Sequence, residues 1–162
     1  MPANLTFDAL KAAVQAGEID TVMVALVDMQ GRLMGKRFHA AHFLENPDET
    51  HCCNYLLATD IEMNTVQGYR STSWAAGYGD YVMKPDLSTL RRMPWAPGTA
   101  FCMVDLYDHH THELVPHAPR SVLRRQIARA EAMGYTPIMA TELEFFLFSP
   151  GYKELFDNGY QG

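Results

Sequence analysis

The sequence predicts an α+β fold with a strand-rich first unit and a second unit that opens with an amphipathic helix. Apolar runs of strand length at 21–28 and 99–108 predict buried strands. Apolar residues recur at helical spacing in two other stretches, near the start of the chain and after Pro119. Because 48% of the 162 residues are hydrophobic and no repeat is present, the chain can bury an ordinary globular core.

The first elements are predicted to be a helix, a hairpin and a short helix. Thr6 can cap a helix that begins at Phe7, and Gly17 suits its C-terminal end. The strand at 21–28 leads into the turn DMQGR, which reverses the chain into LMGKRF, so a hairpin is expected. We expect AAHFLE, which follows, to form a helical turn across this hairpin.

The middle of the chain predicts a sheet interrupted by one long loop. CCNYLLATDIEM, from Cys52, predicts a further strand, and the glycine- and serine-rich stretch 68–80 predicts the loop. A short strand and proline turns follow in YVMKPDLSTLRRMPWAPG. The run 99–108 predicts the central strand, and the polar DHHTHE at its end predicts an exposed turn.

The last third predicts one helix and one long strand. Pro119 fits the first position of the helix and Gly134 closes it. The apolar face of this helix contains Val122, Leu123, Ile127, Ala130 and Met133. YTPIMATELEFFLF, at 135–148, then predicts a strand long enough for a sheet interior. One helix and one strand cannot enclose a core, so we expect the second unit to be incomplete.

Composition argues against several classes of protein. The net charge of −6 and the lack of a basic run give no footprint for nucleic acid or an anionic membrane. No apolar stretch approaches the ~18 residues of a membrane span, and MPANLTFDALKAA lacks the pattern of a signal peptide, so we expect a cytoplasmic protein. The three cysteines lack CxxC spacing, which argues against a disulfide framework and a zinc site.

Two other conspicuous features have structural interpretations. His109, His110, His112 and His117 could suggest a transition-metal site. HHTH, at 109–112, falls in the predicted turn, however, and its spacing fits no usual tetrahedral set, so we expect a solvated turn. Trp74, in the long loop, is expected either at a subunit boundary or in the core.

Glu142 and Glu144 lie two positions apart in the apolar run 139–148. In a strand both point to the same face, and because both faces become apolar toward the end of the run, we expect a strand covered on both sides. Two interpretations follow. The carboxylates pair with arginines or occupy a frayed edge, or each binds a divalent cation that keeps both ionised. Hard oxygen ligands favour Mg²⁺ or Mn²⁺, the ions that phosphoryl transfer from ATP requires.

Three motifs resemble the N-terminal region of the glutamine synthetase family of ATP-dependent carboxylate–amine ligases. They are GYGDYVMKPDLSTLRRMPWAPGTAFCMVDLYD at 77–108, the helix APRSVLRRQIARAEAMGY at 118–135 and the strand ELEFFLF at 142–148. They occur in the family's order, and the resemblance covers nearly the whole chain from VMVALVDMQGRLMGKR onward. No one of them alone identifies the family.

The resemblance implies a β-grasp-like N-terminal domain over residues 1–112 and, over 113–162, the first helix and strand of an incomplete catalytic domain. It implies that Glu142 and Glu144 each hold one Mg²⁺ or Mn²⁺ ion. The family's reaction moves the γ-phosphoryl group of ATP to the side-chain carboxylate of glutamate, and ammonia or an amine then displaces the phosphate. A homo-oligomer that shares its active sites between subunits is also implied, and this fragment alone is expected to be inactive.

One departure from the family concerns the acceptor. Members that use ammonia carry a DGSS-like loop whose aspartate binds ammonium, whereas this chain has GYRSTSWAAGYGD, with Arg70 near the expected position of that acid. Asp60 and Glu62 are candidate substitutes, or else ordinary strand residues. Ammonia is the first expectation. The alternatives are a γ-glutamyl amide synthetase that uses an organic amine, and a non-catalytic β-grasp module that acts in assembly or regulation.

Overall fold

The helices and strands follow most of the apolar patterns of the sequence. The structure, a computed structural model, describes residues 5–48 and 50–161; the first four residues of the expected first domain therefore lie outside the described residues. The helices are α1 (Phe7–Gln15), α2 (Ala40–Glu45), α3 (Pro119–Ala132) and α4 (Tyr152–Asp157). The strands are β1 (Thr21–Val27), β2 (Leu33–His39), β3 (Thr50–Cys53), β4 (Asp80–Pro85), β5 (Arg91–Arg92) and β6 (Thr99–Asp108).

The strands form one mixed sheet with β6 at its centre. The order is β2-β1-β6-β4-β3, and β5 pairs with β6 outside this path. β1 and β6 run parallel with Thr21 opposite Thr99, whereas all other pairs are antiparallel. The prediction that 99–108 is the central strand is confirmed, as is the α+β class.

The turn between β1 and β2 is organised by a buried aspartate. The Asp28 side chain is 1% exposed, and its Oδ1 accepts the backbone N–H of Gln30 at 2.9 Å and of Arg32 at 2.8 Å. The Arg32 guanidinium donates through Nε to Oδ2 at 2.6 Å. Burial alone would raise the pKa of Asp28, but the Arg32 side chain and these N–H donors outweigh it and lower the pKa. The hairpin predicted here is confirmed.

The hydrophobic core lies where α1 and α2 meet the sheet. Thr6 Oγ1 accepts the N–H of Ala9 at 3.1 Å and caps α1, and Gly17 follows with a φ of 71°, as the sequence predicted. The most deeply buried core side chains include Leu10, Ile19, Val22, Val24, Leu26, Phe43, Met83, Leu90, Cys102 and Val104. These residues hold the first unit together, and the described cysteines are free.

The strand predicted from Cys52 stops after one more residue. A short 3₁₀ turn, Asn54–Leu57, replaces it, so the prediction of a strand through ATDIEM is wrong. Asn54 explains the break, because its backbone N–H bonds to Gly79 and its buried side-chain oxygen accepts the Thr72 hydroxyl at 2.6 Å. The chain then continues as the predicted long loop until β4.

Candidate functional site

The structure places Glu142 and Glu144 in an extended, solvent-exposed segment between α3 and α4. Residues 135–148 form no strand, and both glutamates are exposed. Their apolar neighbours are exposed as well: Phe145 is 83% exposed and Leu147 is 90% exposed. The expectation of a strand covered on both faces is therefore wrong for this chain.

The missing pairing explains this difference. A strand is held by hydrogen bonds to a neighbouring strand and by burial of its side chains, and no described strand pairs with 135–148. The alternating glutamates and the apolar run are present, but nothing in the described chain covers them. Pairing of these glutamates with arginines is not supported, because neither glutamate forms an ion pair with the described residues.

These two carboxylates suit a hard divalent cation, but two ligands are fewer than such an ion needs. The described residues contain no group of three or more histidine, cysteine, aspartate or glutamate side chains that could hold a metal ion. Mg²⁺ and Mn²⁺ prefer carboxylate and water oxygens and about six ligands. Glu142 and Glu144 can therefore supply part of a coordination shell, and other groups must complete it.

The helix that leads to these glutamates is fixed to the sheet at its first turn. Arg120 of α3 donates through Nε to Asp105 Oδ1 of β6 at 2.9 Å and pairs through its second nitrogen with Asp86. Arg124 also pairs with Asp105, which is 6% exposed. Most of the predicted apolar face is exposed, since Val122 is 40% exposed and Met133 is 64% exposed, whereas Ile127 and Ala130 are half-buried.

These ion pairs were not anticipated from the sequence. The PR pair at the head of the helix indicates a family motif, not an ion pair. Its partners lie fifteen and more residues earlier in the chain, and sequence spacing gives no information about such contacts. The buried aspartate in the otherwise apolar strand 99–108 is the signal that could have indicated a partner.

Asp60 and Glu62 form part of a tight turn that the hairpin holds in place. Arg32 donates to the carbonyl oxygens of Asp60 at 2.9 Å and Ile61 at 2.6 Å. The Asp60 carboxylate accepts the N–H groups of Asn64 and Glu62, both at 2.9 Å, and the Asn64 contact in particular lowers the pKa of Asp60. Asp60 is thus committed to its own turn, whereas Glu62 remains exposed.

The long loop also carries aromatic side chains. Trp74 is 75% exposed, so the core interpretation for this residue is wrong. Its ring lies edge-on to Tyr78 at 5.3 Å between centroids, and Tyr78 lies edge-on to Tyr55 at 6.0 Å. Arg70 is exposed at the same loop.

The histidine-rich turn after β6 is solvated, as predicted. His109 stacks edge-on against His51 at 5.3 Å and against His110 at 5.4 Å between ring centroids. None of them belongs to a metal-binding group within the described residues.

Among the helices of residues 5–48 and 50–161, none is long and apolar enough to cross a bilayer.

The chain is similar to known ligases. A family model described as "Glutamine synthetase, catalytic domain" matches residues 116–160. The chain is 49% identical over 160 residues to the gamma-glutamylethanolamide synthetase of Streptomyces coelicolor, a match that covers 98% of this chain and 34% of that protein. It is 36% identical over 138 residues to the glutamate–isopropylamine ligase of a Pseudomonas species, which covers 84% of this chain and 30% of the relative.

More distant relatives agree with this comparison. The glutamine synthetase of Thermotoga maritima is 24% identical over 162 residues, covering 96% of this chain and 34% of that enzyme. The solved structure "Apo GmaS without ligand" superposes with a TM-score of 0.59 at 19% identity, covering 79% of this chain and 27% of the other, which shows a shared fold. The chain spans about a third of the length of the curated relatives it matches.

Proposed function

The chain belongs to the glutamine synthetase family, and from that premise we propose that the full-length protein is an ATP-dependent ligase that joins glutamate to an organic amine. The observation that carries this proposal is the 49% identity, over 98% of the chain, to a gamma-glutamylethanolamide synthetase. The glutamate–isopropylamine ligase, at 36% identity, also has an organic amine in its name. The Thermotoga maritima glutamine synthetase is only 24% identical.

The loop geometry supports an acceptor other than ammonia. A carboxylate that receives a proton from ammonium must be free to contact it. Asp60, the candidate substitute for the ammonium-binding acid, is occupied by Asn64 and Glu62 of its own turn, and these contacts stabilise its ionised form. Arg70, near the other expected position of that acid, has the wrong charge to bind a cation.

The proposed chemistry has two steps. The γ-phosphoryl group of ATP is transferred to the side-chain carboxylate of glutamate, and the amine nitrogen then attacks the acyl phosphate and releases phosphate. Divalent ions, when bound, neutralise charge on the transferred group. In this chain Glu142 and Glu144 are the residues we propose to contact Mg²⁺ or Mn²⁺, each holding one ion, with the remaining ligands supplied by the rest of the protein.

The proposed domain organisation follows from the same family. We propose a β-grasp domain over residues 1–112 and the start of the catalytic domain over 113–162. The parallel pairing of β1 with β6 between two antiparallel neighbours supports the first assignment. The match of residues 116–160 to the catalytic domain supports the second. We also propose a homo-oligomer, because the exposed loop around Trp74 and the uncovered segment 135–148 both present apolar surface.

The acceptor is tested by measuring product formation in the full-length protein. With ATP, glutamate and Mg²⁺, we expect phosphate release and γ-glutamyl amide formation with ethanolamine or isopropylamine, at a kcat/KM at least about tenfold above that with ammonia. A higher kcat/KM with ammonia would reassign the protein as a glutamine synthetase. No ATP-dependent product with any acceptor would favour the non-catalytic module instead.

The metal assignment is tested on this chain by its effect on water-proton relaxation with Mn²⁺. We expect weak binding, with a Kd on the order of millimolar, because two carboxylates make an incomplete site. Combined Glu142→Gln and Glu144→Gln changes should weaken binding at least about fivefold. Glu18→Gln, which removes a carboxylate exposed on the first unit, serves as the control. An equal loss in the control would contradict the assignment.

A further inference from the structure

Two adjoining clefts meet at His117, in the connection between β6 and α3. The first has a volume of about 240 Å³ and the second about 400 Å³. Ser71, Pro116 and His117 line both clefts, so the two share a wall. One small molecule can therefore place one end in each.

The first cleft is acidic. Asp108 and Glu113 line it, and no lysine or arginine among the described residues does. Tyr81, which is 3% exposed, holds its hydroxyl 3.3 Å from His117 Nε2. Burial raises the pKa of Tyr81 and lowers that of His117, so at neutral pH the hydroxyl keeps its proton and the ring is uncharged. Two carboxylates beside neutral hydrogen-bonding groups suit an ammonium group.

The second cleft is mostly apolar and contains one arginine. Its apolar wall consists of Met29, Leu57, Tyr69 and Pro116. Arg70 lines it, is exposed, and forms no hydrogen bond or ion pair with the described residues. An unpaired guanidinium beside apolar surface suits a carboxylate attached to a short carbon chain, because it can form two parallel hydrogen bonds to the two oxygens.

We propose that the two clefts together bind an amino carboxylate whose ammonium and carboxylate groups are separated by a short carbon chain. The ammonium group contacts Glu113 and the Oδ2 atom of Asp108, since Asp108 Oδ1 already accepts the N–H groups of His110 and Thr111. The carbon chain passes His117, and the carboxylate pairs with Arg70. Because the opposite charges lie in different clefts, a molecule with only one charged group satisfies only half of the site. This site goes beyond the ligase activity proposed above, since Glu142 and Glu144 line neither cleft.

The binding test uses the ¹⁵N-labelled chain and follows backbone amide shifts without ATP or divalent metal. The probe is 4-aminobutanoate, and ethylamine and propionate, at equal ionic strength, represent each charge alone. We expect saturable shifts with 4-aminobutanoate at residues 70–71, 81 and 108–117. Each single-charge probe should bind at least about tenfold more weakly, because it loses one set of charged hydrogen bonds.

Two variants separate the two ends of the ligand. Glu113→Gln and Arg70→Gln should each raise the Kd for 4-aminobutanoate about tenfold. Both side chains are exposed, so neither change disturbs the core. Glu113→Gln should leave the weak binding of propionate unchanged, and Arg70→Gln that of ethylamine. Glu131→Gln, an exposed change of the same charge on α3, should leave every Kd unchanged.

Three results would overturn the proposal. They are the absence of saturable shifts with 4-aminobutanoate, equal affinity for ethylamine and 4-aminobutanoate, and a loss of affinity in Glu131→Gln as large as in Glu113→Gln. Any of these leaves the ligase proposal unaffected, because that proposal is tested by ATP-dependent product formation in the full-length protein.

Discussion

At the scale of single residues, buried carboxylates organise this chain. Asp28 receives two backbone N–H groups and a guanidinium in the first hairpin, and Asp105 receives two guanidinium groups at the head of α3. A buried carboxylate without such partners would be strongly unfavourable. The two sites therefore depend on Arg32, Arg120 and Arg124, each of which also ties two separate stretches of the chain together.

Asp28 should make the stability of the chain fall in acid. Its folded-state pKa is lowered, so its contribution is complete above the unfolded value of about 3.9 and is lost as the pH falls through the folded value. Asp28→Asn should reduce the free energy of unfolding by about 1–3 kcal/mol at pH 7. This difference from the parent should shrink toward pH 2, in urea unfolding followed by circular dichroism.

Asp48→Asn is the matched control, because Asp48 is exposed and has no partner among the described residues. It should change the free energy of unfolding by less than about 0.5 kcal/mol at either pH. A constant difference between the parent and Asp28→Asn from pH 7 to pH 2 would contradict the role given to the Asp28 carboxylate.

Local residue roles were predictable and distant ones were not. The Thr6 cap and the turn at 28–32 depend on neighbours within four residues, so sequence spacing alone indicates them. Arg32 donates to carbonyl oxygens 28 and 29 residues further along the chain. Arg120 donates to carboxylates 15 and 34 residues earlier in the chain. No local pattern encodes such contacts.

At the scale of elements, the hairpin β1–β2 depends on one close approach of two backbones. A Cβ atom at Gly35 would lie 1.8 Å from the carbonyl oxygen of Val24, a distance that no side chain can occupy. Ala25 is the residue paired with Gly35. Glycine at this position therefore allows β2 to pair with β1 along its full length.

Gly35→Ala should consequently destabilise the chain more than a typical surface change. We expect a loss of at least about 2 kcal/mol in the free energy of unfolding, because the hairpin backbone must shift to remove the overlap. Gly151→Ala is the control, since nothing lies within 4 Å of a Cβ there. Urea unfolding of both variants checks the prediction, and equal stabilities would contradict the geometry of the hairpin.

The predicted strand at 135–148 shows that alternation in the sequence does not indicate whether a partner strand is present. Alternation of side chains indicates a segment that can pair, but pairing also needs a neighbouring strand with free N–H and C=O groups. The run 99–108 has such neighbours on both sides and forms the central strand. The run 135–148 has none in the described chain and remains extended and exposed.

At the scale of the whole molecule, we expect the core to determine the stability of the chain and the exposed C-terminal stretch to determine its self-association. Every residue of the core cluster lies before Pro119. Ending the chain after Gly134 should therefore leave the thermal midpoint within about 3 °C of the parent. It should also reduce self-association in sedimentation velocity, because large exposed apolar side chains such as Phe146 and Tyr152 are removed.

A chain that ends after Glu113 is the contrasting variant. It loses the buried residues Val115 and Ala118 and leaves Asp105 without Arg120 and Arg124. We expect it to unfold at a midpoint lower by about 10 °C or more. If the chain ending after Gly134 were as unstable as this one, the exposed stretch would contribute to the core after all.

The attachment of α3 at its first turn has a mechanical consequence. The helix has 14 residues and so extends about 21 Å from its anchored end. It acts as a lever, and a tilt of about 10° at the Arg120 pivot displaces the far end by about 4 Å. The ion pairs of Arg120 with Asp86 and Asp105 therefore determine the direction in which the chain continues after α3, including the stretch that carries Glu142 and Glu144.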